Sequence, residues 1–377
     1  MIETNSSIDQ LLSLPPFVIN EKDKSELFKT AIFESFNHHI KNNPLFRQFC
    51  AKSNLWFGMR LEDLSDYPSL PVDIFKKRNL CSVPANELKT FLYSSATTGI
   101  PSTIAIDSIT SRRQITASTK IMIDYLGSHR RPFLVLDEDP SKTPPQEISA
   151  RSAAVRGFLM LASSADYFLR NTDGQLAADI NKFQGSLKKF EANNEEVCIF
   201  GFTFVLYENF IKALKENKLR FHLAKNSKVL HIGGWKKLEH QKVSRVKFIN
   251  DIRDTLGVAE TDVFDFYGFT EQMGIIYSSI GDSPKTTPLY SELIIRDFQT
   301  LQPVKDGEIG LIQILTPLPH SYPGISVLTE DVGRIVGRGS DRFGREGTQF
   351  EVLGRAEKAE ARGCGDMLSE FINRSQV

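Results

Sequence analysis

At 377 residues, with 41% hydrophobic and 24% charged positions, the chain has the composition of an ordinary globular protein, long enough for a large core and about two to three folding units. Its 46 basic and 46 acidic residues cancel, so charge gives no reason to expect a nucleic-acid or anionic-membrane surface. A small or overall neutral partner is the expectation.

The opening residues, MIETNSSIDQ, carry no basic stretch leading into an apolar run, so no secretory signal is expected. Nowhere does an apolar run approach the roughly 20 residues that cross a bilayer. Between Lys22 and Phe49, residues Leu27, Ala31, Ile32, Phe36, Ile40 and Phe46 recur at helical spacing. They predict one or two amphipathic helices packing on a larger body. Two prolines in Asp66-Tyr-Pro-Ser-Leu-Pro-Val end that pattern, and Phe91-Leu-Tyr rises as a short strand into a run of hydroxyls and glycine.

Further on, Phe133-Leu-Val-Leu, Val197-Cys-Ile-Phe-Gly, Lys228-Val-Leu-His-Ile and Val263-Phe-Asp-Phe-Tyr are apolar strands separated by longer mixed-charge stretches. That alternation predicts an α/β fold with buried strands. After Pro284 come short strands, with Gly307, Gly310, Gly324 and Gly333 read as turn punctuation. The expected organisation is a helical segment over 1–85, a core over 86–350 with a β-rich part at about 285–350, and a hinge and tail over 351–377. Cys50, Cys81, Cys198 and Cys364 are too far apart for a zinc site or a disulfide scaffold, which fits reduced thiols and a cytoplasmic protein. The first three read as packing residues in helical or strand-like surroundings.

Four local features could carry chemistry, each with a plainer alternative. Ser94-Ser95-Ala96-Thr97-Thr98-Gly99-Ile100-Pro101 follows a strand, and such a loop can wrap phosphate oxygens or be a polar turn. His231-Ile232-Gly233-Gly234-Trp235 lets a flat ring or a phosphate approach the backbone, or simply ends a strand. Tyr267-Gly268-Phe269-Thr270-Glu271 gathers an aromatic face, a hydroxyl and a hard oxygen ligand, or is a loop with a capping threonine. Thr329-Glu330-Asp331-Val332-Gly333-Arg334, then Leu353-Gly354-Arg355 and Arg362-Gly363-Cys364-Gly365-Asp366, place an acid on a turn for ribose hydroxyls and arginines for phosphate, or are ordinary turns.

In this order the four features resemble the adenylate-forming superfamily of acyl-CoA synthetases, luciferases and peptide-synthetase adenylation domains. The segments Leu70-Pro71-Val72-Asp73-Ile74-Phe75-Lys76, Gly233-Gly234-Trp235-Lys236 and Arg362-Gly363-Cys364-Gly365-Asp366 resemble its acyl-protein synthetase branch, the luciferin-component ligases (LuxE) of bacterial bioluminescence. The resemblance implies the large N-terminal domain of that fold without the usual full C-terminal domain. It also implies use of ATP and Mg2+ to activate a carboxylic acid, a fatty acid above all, with transfer of the acyl group to a thiol and delivery to a partner protein. Residue by residue, it implies a phosphate loop of Ser94, Ser95, Thr97, Thr98 and Gly99, and adenine bracketed by Gly233, Gly234 and Tyr267. Thr270 would lie at the α-phosphate, Glu271 at magnesium, Asp331 at the ribose, Arg355 at the hinge, and Cys364 would take the acyl group beside Arg362.

The pattern departs from the superfamily at Ala96, where glycine is usual, and at Ser102, where many members have lysine. The resemblance also implies that the superfamily's C-terminal-domain lysine is missing, and Lys236, Lys237 and Arg362 are the expected candidate cations in its place. Phe200-Gly201-Phe202-Thr203-Phe204 could line an acyl pocket or be a buried strand. Two other functions fit the same residues: an aryl or short-chain acid ligase using coenzyme A or a carrier thiol, and a non-catalytic nucleotide-binding subunit.

Overall fold

The computed structural model describes residues 6–17, 21–94, 101–142, 150–172, 175–235 and 243–356. Helix α1 (Ser7–Ser13) is capped by the Ser6 hydroxyl, which accepts from the Asp9 N–H. The expected amphipathic stretch forms α2 (Glu21–Asn42), whose buried Phe28, Ala31, Ile32, Phe36 and Ile40 follow the helical period. Asn43 as N-cap and Pro44 at the first position then restart the chain as α3 (Pro44–Lys52). Next come β1 (Leu70–Pro71), α4 (Ile74–Lys77), the hairpin β2 (Leu88–Tyr93) and β3 (Thr103–Asp107), and α5 (Ser108–Leu126). Asp107 caps α5, with its carboxylate accepting from the Thr110 N–H at 2.7 Å.

The middle of the chain alternates β4 (Arg131–Leu136), α6 (Ala150–Phe158), β5 (Ala162–Tyr167), β6 (Leu169–Thr172), β7 (Gln175–Ala178), α7 (Ile180–Asn193), β8 (Cys198–Phe202), α8 (Lys212–Glu216), β9 (Lys228–Ile232), α9 (Arg245–Leu256) and β10 (Val263–Tyr267). With β11 (Tyr277–Ile280), five of these strands form one sheet among the described residues, in the order β11-β10-β9-β8-β4-β5. All neighbours are parallel except β11 against β10. Its faces show why the sequence read as continuous apolar runs. Phe133 and Val135 enter one core, with α5 and α6, while Leu134 and Leu136 enter a second core with α7 and α9.

The rest is a second sheet of β12 (Lys285–Thr286), β13 (Glu292–Arg296), β14 (Gly310–Leu315), β15 (Ser326–Ser340) and β16 (Glu346–Arg355), ordered β12-β16-β15-β14-β13, with β1 also on β15. β1 pairs with Val327 and Leu328, so residue 70 is tied to the β-rich part across more than half the chain. Helices α1 to α3 share one core with this sheet, and β16 runs through position 350.

Three sequence readings need correction. Gly333 is not a turn residue but lies inside β15 at a bulge, where a Cβ would come within 2.5 Å of the Glu351 carbonyl oxygen. Asp331 likewise sits on β15 rather than on a turn, because that strand is long and bent by its bulges instead of ending. Cys50 and Cys198 are buried in α3 and β8, but Cys81 lies in a half-buried loop where its thiol donates to the Val83 carbonyl. No described helix is long and apolar enough to cross a membrane.

Candidate active site

Open parallel sheets bind ligands beyond the carboxyl ends of their strands, and here β8, β9 and β10 end together. After β8, the Thr203 hydroxyl lies 2.9 Å from His231 Nδ1 and donates to the Gly233 carbonyl at 2.5 Å. That pins Gly233 in a left-handed conformation, φ +81°, which favours glycine. Burial holds the His231 imidazole down at about pKa 4, so it is neutral at ordinary pH.

After β10 the chain turns through Gly268-Phe269 into the buried turn Thr270–Gln272. Its backbone is fixed from several sides. The Tyr322 hydroxyl donates to the Glu271 carbonyl at 2.9 Å, and Gln272 Nε2 donates to the carbonyls of Ile314 and Gly324 at 2.9 and 2.8 Å. Burial raises the Glu271 carboxyl above the usual carboxylate range, while nearby Ser102, Lys76 and Arg355 pull it back. Tyr267 packs its ring against Phe269, Tyr277 and Phe350 and donates its hydroxyl to Asp331 Oδ2 at 2.7 Å. Burial first, then the Asp331 charge, pushes its phenol far up, so it stays a donor. Across β15 and β16, Arg355 Nε stands 3.4 Å from Asp331 Oδ1.

These groups open onto a cleft of about 730 Å³ between the two sheets. Ser94, Gly233, Thr270, Glu271, Asp331 and Arg355 all line it, so residues spread over more than two hundred positions of sequence meet at one place. Tyr267 and Gly234 do not line it; the tyrosine reaches it through Asp331. Ser94 stands at the mouth of the β2–β3 hairpin, where its N–H donates to the Ser102 carbonyl and its hydroxyl accepts from the Ser102 N–H. The remaining expected loop residues Ser95, Thr97, Thr98 and Gly99 lie outside the described residues, as do Lys236, Lys237, Arg362 and Cys364.

The opposite wall is formed by α5 and α6, with Ile115, Ser118, Met122, Ala154, Gly157 and Phe158. Of the phenylalanine-rich segment, Phe202 lines the cleft, Phe200 stacks on Phe158 at 4.5 Å in the core, and Phe204 packs against Trp235. Sequence reasoning did not find Lys76, Arg151 or Gly157 as cleft residues. Lys76 belonged to a quoted motif without a role, and α6 had no signal beyond its small side chains.

The donor set bears on magnesium. Among the described residues no group of three or more His, Cys, Asp or Glu side chains could hold a metal ion. Glu271 supplies one carboxylate. That fits magnesium, which usually takes one or two protein carboxylates and completes its shell with water and substrate phosphates.

A sequence model described as acyl-protein synthetase, LuxE, matches residues 1–373. The chain is similar to the long-chain-fatty-acid–luciferin-component ligase of Aliivibrio fischeri, 23% identical over 99% of this chain and 96% of that one. It is equally similar to the ligase of the same name from Vibrio harveyi, 23% identical over 98% and 94%. Among solved structures, 2-hydroxyisobutyryl-CoA ligase in its thioesterification state, with 2-HIB-AMP and CoA, superposes with a TM-score of 0.69 at 14% identity, covering 91% of this chain and 70% of that one. The open conformation of the same ligase superposes at 0.67 with 12% identity, covering 91% and 72%. At such identity the structural likeness establishes the fold of an adenylate-forming enzyme and no more.

Proposed function

Since the chain belongs to the acyl-protein synthetase (LuxE) family, we propose that it uses ATP to activate a long-chain fatty acid as its acyl-adenylate and then takes the acyl group onto Cys364. The observation that carries this reading is the cleft at the ends of β8 to β10, where Thr270, Glu271, Asp331 and Arg355 face one space. A carboxylate attacks a triphosphate poorly because both are anions, so the site must neutralise phosphate oxygens and hold the reactants in line. In the first step a carboxylate oxygen bonds to the α-phosphorus as the bond to the β-phosphate oxygen breaks, and pyrophosphate leaves with the electron pair. In the second, the Cys364 thiolate bonds to the acyl carbon as the carbon–oxygen bond to AMP breaks.

Each residue has its part. Asp331, oriented by Tyr267 and Arg355, accepts from the ribose hydroxyls; Thr270 donates to the α-phosphate. Ser94, with the loop Ser95, Thr97, Thr98 and Gly99, holds the outer phosphates. Gly233 borders the adenine. Glu271 holds magnesium, which when bound would offset charge on the phosphates. A protein partner then takes the acyl group, as the family's chemistry implies, with Ile115, Met122, Ala154 and Phe158 on the α5–α6 wall supporting a long acyl chain rather than a small acid.

The test is intact-protein mass spectrometry after incubation with ATP, Mg2+ and a panel of fatty and aromatic acids, comparing wild type with Cys364→Ser. A hydroxylamine-labile acyl adduct on the wild type alone is expected. Pyrophosphate release without any adduct would instead favour a ligase with an external thiol.

A further inference from the structure

Resting on the adenylation reading, we propose that Lys76 is the cation that meets the reacting phosphates, carried into the cleft by the segment Leu70–Lys76. That segment has a specific job in the fold. Leu70 and Pro71 lie parallel to Val327 and Leu328 of β15, and the Val72 N–H donates to the Leu328 carbonyl at 2.9 Å. Proline, which has no N–H to donate, is tolerated there because β1 is two residues long and pairs only with β15. The next residues of β15 are Thr329, Glu330 and Asp331, all at the cleft. The same pairing that starts α4 therefore places it beside the ribose-binding carboxylate.

The one-turn helix α4 then divides its residues. Ile74 and Phe75 are buried, and Phe75 meets Tyr322 edge-on with ring centroids 6.0 Å apart. Tyr322 is the residue whose hydroxyl holds the Glu271 carbonyl. Lys76 and Glu271 are thus mounted on a common support. Val72 and Lys76, four residues apart and so on one side of the turn, both face the cleft.

The other cations of the cleft are engaged differently. Arg151 makes three hydrogen bonds with Asp137, between 2.8 and 3.1 Å, and its guanidinium lies 4.7 Å from the centre of the Phe202 ring. Arg156 donates to the Pro140 carbonyl, and Arg355 serves Asp331. Lys76 rests on Asp73, Nζ to Oδ1 2.5 Å, and that carboxylate is 34% exposed. The Lys76 side chain itself is 23% exposed, and a single-contact pair three residues apart that still meets solvent is weak, so the ammonium can turn to an arriving phosphate. Its compact charge suits phosphate oxygens.

The experiment uses the full chain. Exchange of labelled pyrophosphate into ATP is measured with hexadecanoate for wild type, Lys76→Met and Lys76→Arg, and affinities for ATP and for adenosine are measured by calorimetry. Lys76→Met is expected to lower acid-dependent exchange about 10²–10³-fold, the usual effect of losing one transition-state donor. It should weaken ATP but leave adenosine within about twofold, since adenosine has no phosphate for the ammonium to meet. Lys76→Arg should recover exchange at least about tenfold over Lys76→Met, because the charge returns. Should the methionine variant melt early, Lys76→Gln neutralises the same position with a polar end.

Exchange in Lys76→Met within about threefold of wild type, too small for loss of such a donor, would overturn the assignment alone, as would equal weakening of ATP and adenosine. A wild type that exchanges with no acid would overturn the adenylation reading and the assignment with it.

Discussion

Glu271 and Ile115 face the same cleft, yet the first is 4% exposed and the second 52%. Around Glu271 the wall is fixed by hydrogen bonds from Tyr322 and Gln272, and by the chain from Tyr267 to Asp331 to Arg355. Around Ile115 the wall is made of the faces of α5 and α6, where Ala153, Ala154 and Gly157 leave gaps between larger side chains. A Cβ built on Gly157 of α6 meets nothing within 4 Å. One wall is over-determined and suits a step common to every substrate; the other leaves room, which suits a part of the substrate that varies.

Changes on the first wall should therefore slow the reaction with every acid, and changes on the second should alter which acid is used. The largest effect is expected from Glu271→Gln, with pyrophosphate exchange falling about 10²–10³-fold for long and short acids alike. Dependence on acid length would break the comparison. Next comes Gly157→Phe, which fills the open wall: kcat/KM for hexadecanoate should fall about 10- to 200-fold, the range for one apolar group in a pocket, while that for a short acid holds. Steady-state kinetics over a series of chain lengths checks it.

Tyr267→Phe is smaller. It removes a hydrogen bond to a charged group, so KM for ATP should rise about tenfold with the acid KM unchanged. A change in the acid KM instead would mean that Tyr267 belongs to the other wall.

The last effect is on stability. His231 lies beneath the rigid wall, and burial lowers its pKa from 6.5 to about 4. The unfolded chain then binds the extra proton between those values and the folded chain does not. Stability is thus complete above pH 6.5 and lost as pH falls towards 4, by on the order of 3 kcal/mol for this group. Half-buried His38 and buried His39 are shifted the same way, chiefly by burial, His38 to about 4. Thermal melting against pH should show the fall, and His231→Asn should make it shallower, His38 and His39 supplying the remainder; a melting point constant from pH 6.5 to 4 would contradict it.

The two walls also differed in how far sequence exposed them. β4, β8, β9 and β10 could be read because a strand buried on both faces is an unbroken apolar run, and Thr270 and Glu271 stood out because they follow such a strand. Asp331 stands out in the sequence, but as a turn residue, since glycines inside a bulged strand look like turn residues. Lys76 had no readable role because its position depends on β1 pairing with a strand more than 250 residues away. Arg151 and Gly157 gave no signal: a helix of small residues becomes a pocket wall only once α5 and the sheet are packed around it.

The measurement that bears most directly on the central claim is exchange of labelled pyrophosphate into ATP, without added thiol, in wild type and Cys364→Ser with hexadecanoate, acetate and benzoate in turn. Exchange with hexadecanoate, equal in both proteins because the thiol acts only after the adenylate forms, is the expected result. Exchange with benzoate or acetate alone, or ATP binding with no exchange for any acid, would contradict it.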